Sequence, residues 1–201
     1  GSYVSVWHVP NVTTVKKINA YNPENHTVYF EDLGGDLYDD RDGYYSILNH
    51  ISLIDREGEY SFNGQQLYLW PYSENPNDSE FTIAARHTGI YIFNHDHIKV
   101  EGFKIQKFYT HFEGHHQGSA IKAIAQNGNN PIDITVKDNE ITKLRSLSGG
   151  GAIIFNVENG IIENNAITNG QRNIGILSGG TNVIVKNNYV SRTSRQGIWF
   201  M

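Results

Sequence analysis

From residue 89 onward the apolar positions follow neither a helical spacing nor a long alternation; they fall in short clusters that recur. Val100, Val136, Ile162 and Val185 each stand five places ahead of a second aliphatic residue: Ile105, Ile141, Ile167 and Val190. A short run precedes each pair: Gly89-Ile90-Tyr91-Ile92, Ala120-Ile121-Lys122-Ala123, Ala152-Ile153-Ile154-Phe155 and Gly175-Ile176-Leu177-Ser178. Gly197-Ile198-Trp199-Phe200 opens one more turn. The leading isoleucines are 31, 32, 23 and 22 residues apart, so the last two intervals fit a bare repeat and the first two carry insertions. Short strands with turns every few positions and a period in the low twenties predict a parallel β-helix of about four to five coils, an all-β fold.

Such a stack sets equivalent residues about 4.8 Å apart. The two aliphatic series then become inward columns, and Asn139, Asn165 and Asn188 between them become a corner column. Asn tolerates the left-handed backbone of a tight corner, and its amide can bond the next one along the axis. Phe103 holds the equivalent place in the first coil. The outward residues Glu101, Lys137, Glu163 and Lys186 alternate in charge, and Thr142, Thr168 and Ser191 form a hydroxyl row, as a correct register requires.

Residues 1–80 lack the repeat. They predict short strands near 27–31, 45–53 and 66–70 and a linker at 71–80, hence a small β-rich subdomain ahead of coils at 81–201. Charge separates the same two regions. The net charge of −5 divides into −9 over residues 1–80 and +4 over residues 81–201. The chain has no cysteine, so disulfide scaffolds and thiolate metal sites are excluded, and no apolar run reaches membrane-spanning length. Met201 is the sole methionine and the repeat stops partway through a coil. The expectation is a piece of a longer protein, or an open end that meets another subunit.

The segments Ser46-Ile47-Leu48-Asn49, Leu53-Ile54-Asp55-Arg56-Glu57-Gly58-Glu59-Tyr60 and Gly64-Gln65-Gln66-Leu67-Tyr68-Leu69-Trp70-Pro71 resemble the lead-in to the helix of large bacterial right-handed parallel β-helix proteins. Many of those proteins are classed with glycoside hydrolases and polysaccharide lyases, and the similarity covers about residues 44–201. It implies an extracellular or periplasmic carbohydrate-active protein, with a polysaccharide lyase or glycoside hydrolase as the expected enzyme. Ser148-Gly149-Gly150-Gly151-Ala152-Ile153 lacks the acidic residue that many relatives place before such a strand.

The candidate chemistry lies in the loops before the Gly-Ile and Ala-Ile strands. They hold Arg86 and His87; His115, His116 and Gln117; Arg172 and Asn173; Arg195 and Gln196; with Arg145 and Arg192 upstream of two of them. Beside Tyr91, Tyr109, Lys122 and Trp199, this stripe matches what an anionic sugar chain needs: cations for carboxylates and aromatic faces for rings. The expected binding set is Arg86, His87, Lys122, Arg145, Arg172, Arg195 and Trp199, and the catalytic set is Tyr109, Glu113, His115 and His116. His95-Asp96-His97 offers ligand types but reads better as a turn, so no metal site is assigned. An EF-hand alignment of residues 34–43 fails, putting Tyr38 first and Asn49 twelfth, while a looser calcium loop stays open. No cofactor is required by this reading. The expected partner is a polysaccharide, not nucleic acid or a membrane, with end-to-end self-association through the open coil as a further option. A non-catalytic glycan-binding or adhesion module, or a structural spacer, is the alternative.

Overall fold

The computed structural model describes residues 1–9, 12–35, 43–72, 75, 78, 80–108, 118–125, 128–145, 150–171 and 173–201. The chain divides into two compact units, Gly1–Thr82 and Ile83–Met201.

The first unit holds four strands, β1 (Tyr3–Val9), β2 (Val12–Asn22), β3 (Thr27–Phe30) and β4 (Tyr44–Leu48), in an antiparallel sheet of order β3-β2-β1-β4. Val4 and Val6 are buried on one face, opposite Ile47 and Tyr45. On the other face Trp7 stacks on Tyr44 across the strands, ring centres 5.8 Å apart. A hairpin follows, β5 (Tyr60–Phe62) and β6 (Leu67–Leu69), whose turn is held by Asn63 Oδ1 accepting from the Gln65 and Gln66 amides. Asn49 ties hairpin to sheet: its Nδ2 donates to the Gly1 and Phe62 carbonyls at 3.1 and 2.7 Å, and its Oδ1 accepts from Phe62 N at 2.7 Å. Three differences from the sequence expectation stand out. Strands β1 and β2 were not foreseen, the expected 45–53 strand ends at Leu48, and Ile51–Leu53 form a 3₁₀ turn.

The second unit is a parallel β-helix of three sheets. One contains β7 (Thr88–Phe93), β10 (Ser119–Ile124), β13 (Gly151–Glu158), β16 (Ile174–Thr181) and β19 (Ile198–Phe200). The second stacks β8 (Lys99–Glu101), β11 (Thr135–Lys137), β14 (Ile161–Glu163) and β17 (Ile184–Lys186). The third stacks β9 (Lys104–Gln106), β12 (Glu140–Arg145), β15 (Ala166–Gln171) and β18 (Tyr189–Thr193). Register follows the predicted columns: Val100, Val136, Ile162 and Val185 pair in turn, as do Ile105, Ile141, Ile167 and Val190, and Ile90, Ile121, Ile153, Ile176 and Ile198. Apart from Ile198, which is exposed, their side chains fill the interior around the fully buried Phe155. Gly160 makes room for that ring, since a Cβ there would stand 2.3 Å from it.

The asparagine column is continuous. Asn139 Nδ2 donates to Asn165 Oδ1, and Asn165 Nδ2 to Asn188 Oδ1, each at 2.9 Å. The same Nδ2 groups reach the Val100 and Val136 carbonyls, and the backbone amides of Asn139 and Asn165 bond the next Oδ1 as well. Phe103 contributes its backbone N–H, which donates to Asn139 Oδ1. One expectation is corrected here: the ladder asparagines are not themselves left-handed. The residue before each one is, at Asp138, Asn164 and Asn187, as is Gly102 before Phe103. The amide can then point inward because its neighbour has already turned the chain.

Left-handed residues also mark the other two corners. His97, Asp133, Asn159 and Asn182 align at one, and Lys107, Lys143, Asn169 and Arg192 at the other, all with φ between 53° and 65°. The outward charges on the second sheet pair as Lys137–Glu101 at 2.7 Å and Lys186–Glu163 at 2.8 Å. Lys137 also turns to Asp138 at 3.4 Å, so the alternation breaks into two clusters instead of one unbroken chain.

Candidate functional site

The five-stranded sheet brings one outward column into register: Tyr91, Lys122, Ile154, Leu177 and Trp199. These residues alternate with the inward isoleucines because side chains in a strand point to opposite faces in turn. The middle of the column is apolar and covered. Ile154, Ile174 and Leu177, with Ile124 against them, form a cluster separate from the interior core. Tyr91 and Trp199, at the ends, are 52% and 44% exposed, with the Phe93 ring tilted against Tyr91 at 5.5 Å between centres. Four steps of about 4.8 Å separate them, roughly 19 Å along the axis.

Lys122 is the only charge in this column. Its Nζ lies 5.3 Å from the centre of the Tyr91 ring, and no carboxylate pairs with it among the described residues. Burial against the sheet pushes its ammonium below the usual lysine range. A half-buried cation beside a π face, with no carboxylate partner among the described residues, gains when an anion arrives, because part of its desolvation has already been incurred.

Along the row just before these strands, His87, Gly118, Gly150, Asn173 and Arg195 align, as the strand registers require. The His87 carbonyl accepts from the Gly118 and Ser119 amides at 2.9 and 3.2 Å. Asn173 is fully buried and its Nδ2 donates to the Gly118 carbonyl at 3.2 Å, while its Oδ1 has no partner among the described residues. The described part of the row is therefore a broken series of side chains with two glycines in it. Arg86 and Arg195 are exposed. Arg145 stands apart, at the end of β12 opposite Gln171 on the third sheet. Tyr109, Glu113, His115, His116 and Arg172 lie outside the described residues.

At the His95-Asp96-His97 segment, His97 Nδ1 pairs with Asp133 Oδ2 at 3.0 Å and Asp96 Oδ1 accepts from Ile132 N at 2.8 Å. Both contacts fasten a turn to the next coil. Among the described residues no three His, Asp or Glu side chains gather as a metal site would need. Most of the acidic stretch at 34–43 lies outside the described residues.

The family model for the right-handed β-helix region matches residues 73–201. The chain belongs to the right-handed β-helix family. Comparison with curated proteins and with solved structures gave no match. In this β-helix, sequence reasoning found Tyr91, Lys122 and Trp199, which occupy one place after the leading isoleucine of each coil. It passed over Ile154 and Leu177 at that same place, although the signal was available, because apolar residues there read as core.

Proposed function

We propose that the β-helix binds an anionic polysaccharide along the outer face of its five-stranded sheet, with Lys122 as the carboxylate anchor and Tyr91 and Trp199 as stacking faces. The observation that carries this reading is Lys122, half-buried, aligned with both aromatics and without a carboxylate partner among the described residues. Arg86 and Arg195 border the same face as further cations. In this reading the protein acts outside the cytoplasm, where such chains occur. Cleavage would fall to Tyr109, Glu113, His115 and His116. An elimination would use Lys122 to neutralise a uronate and one of these residues as the base that takes its C5 proton, expelling the O4-linked sugar.

The test is a panel of neutral and uronate polysaccharides, measured for binding and for the ultraviolet absorbance of unsaturated ends, on the parent and on Lys122→Met. Binding of uronate chains that falls about tenfold or more in the variant supports the reading. Equal binding by parent and variant, or none to any chain, overturns it. Lys122→Met should also raise stability, which makes loss of binding through unfolding separable. The ammonium is disfavoured in the folded state, so the unfolded chain holds more protons between the folded and ordinary lysine values, and parent stability rises with pH across that window.

A further inference from the structure

Four Asn-Gly pairs occur in the chain: Asn63-Gly64, Asn127-Gly128, Asn159-Gly160 and Asn169-Gly170. An asparagine before glycine can cyclise, because the following backbone nitrogen reaches the side-chain Cγ and glycine has no side chain to obstruct it. The outcome at each pair depends on how the fold holds that nitrogen and that carbonyl. In the β-helix the nitrogen is restrained. Gly160 is buried against the Phe155 ring, and its N–H donates to the Asn182 carbonyl at 3.2 Å. Gly170 is buried inside β15, paired with Leu144 on one side and Thr193 on the other. Asn127 lies outside the described residues.

Asn63 is arranged the other way. It opens the turn between β5 and β6, and both it and Gly64 are exposed. The Gly64 N–H has no partner among the described residues, and no atom stands within 4 Å of where a Cβ on Gly64 would project. The carbonyl, in contrast, is held. Asn63 Oδ1 accepts from the Gln65 N–H at 3.0 Å and the Gln66 N–H at 2.8 Å, while the Asn63 N–H donates to the Gln66 carbonyl at 3.2 Å and keeps the turn closed. Two amide donors on one carbonyl oxygen polarise its carbon, and their bonds strengthen as that oxygen turns negative in a tetrahedral adduct. The turn therefore combines an unengaged nucleophile with an activated electrophile on the neighbouring residue.

We propose that this hairpin turn is a self-modifying site, at which Asn63 converts to aspartate and isoaspartate with the Gln65 and Gln66 amides as its oxyanion hole. Gly64 N bonds to Asn63 Cγ and gives up its proton, the Cγ–Nδ2 bond breaks, and ammonia departs to leave a succinimide. Water then opens the ring at either carbonyl. One opening yields an aspartate whose carboxylate still accepts from both amides. The other routes the backbone through Cβ, and the added carbon displaces Phe62 from its pairing with Leu67 and from Asn49. The test holds the full chain at mildly alkaline pH and body temperature and follows Asn63, Asn159 and Asn169 separately by peptide mass mapping, with the same chain unfolded in guanidinium chloride as the reference. Unfolding removes the restraints and the oxyanion hole together, so the folded-to-unfolded rate ratio at each residue reads what the fold does there. The expected ratio is above one at Asn63, and smaller by about tenfold or more at Asn159 and Asn169. A turn that is merely exposed would give Asn63 a ratio of one at most, and that result overturns the proposal. So do equal ratios at the three asparagines.

Discussion

Both units place an asparagine amide where backbone groups from different segments must be satisfied, yet the two solutions behave differently. Asn49 works alone, holding three backbone groups of the Gly1 and Phe62 segments around one sheet and one hairpin. Asn139, Asn165 and Asn188 work as a column in which each amide completes its neighbour's, and the first two are almost fully buried. The first unit buries few apolar side chains, Val4 and Val6 being the fully enclosed ones among the described residues, and leaves Tyr21, Tyr29, Tyr44 and Tyr45 open. The second encloses Ile105, Ile121, Ile141, Ile153, Ile162, Ile167 and Ile176 in one core. An isolated device stabilises one junction, whereas a repeated one ties each rung to the next and makes the stack cooperative.

That contrast is broken most directly at Asn165. Asn165→Leu strips acceptors from the Asn139 N and Nδ2 groups and a donor from the Val136 carbonyl, all in a buried setting. The expected loss is about 3 kcal/mol or more from the β-helix, read by denaturant unfolding followed at the tryptophans and by hydrogen exchange resolved to each unit. Equal loss of protection in both units would mean that they do not unfold separately. Asn49→Ala is the counterpart. It should cost about 2 kcal/mol, confined to residues 1–82, because the three bonds lie near solvent and water replaces part of what is lost.

Ser178 sharpens the comparison from the opposite side. It sits on an inward position of β16, fully buried, and its Oγ has no partner among the described residues. Ser178→Ala should therefore raise the stability of the β-helix by about 1 kcal/mol, measured as a shift in the denaturant midpoint. The smallest effect is expected at Glu101. Hydrogen bonds from Lys137 and Lys99 hold its carboxyl below the usual carboxylate range. That stabilisation is present above the ordinary glutamate value and disappears as pH falls through the lowered one. Glu101→Gln should flatten the acid limb of the stability curve slightly while leaving neutral pH nearly unchanged, as befits an exposed pair.

The β-helix was legible in the sequence because a fixed offset repeats: five places between aliphatic partners, three places from Val136, Ile162 and Val185 to Asn139, Asn165 and Asn188. Wrong registers would have broken the charge and hydroxyl rows that accompany those offsets. The first unit gave no such check. In β2 the run Thr13-Thr14-Val15-Lys16-Lys17 puts polar side chains on both faces, so no alternation announces a strand. At the candidate site the sequence alone presents Tyr91, Lys122 and Trp199 with Tyr109 as neighbours of an Arg and His stripe, and the strand register sets the first three in one column with Ile154 and Leu177 between. Arg145 reads as part of that stripe too. Only the pairing with Gln171 assigns it to the third sheet.

The three corners also make the length of this helix adjustable. Between the last two complete coils every structural marker advances by 23 residues: Asn159 to Asn182, Asn164 to Asn187, Asn165 to Asn188 and Asn169 to Arg192. Duplicating one such segment would add a rung of about 4.8 Å while every column stays in phase. A gene for this fold can therefore grow or shrink by whole-coil duplication or deletion without redesigning its interior, and selection is left to work on the side chains that each new rung displays.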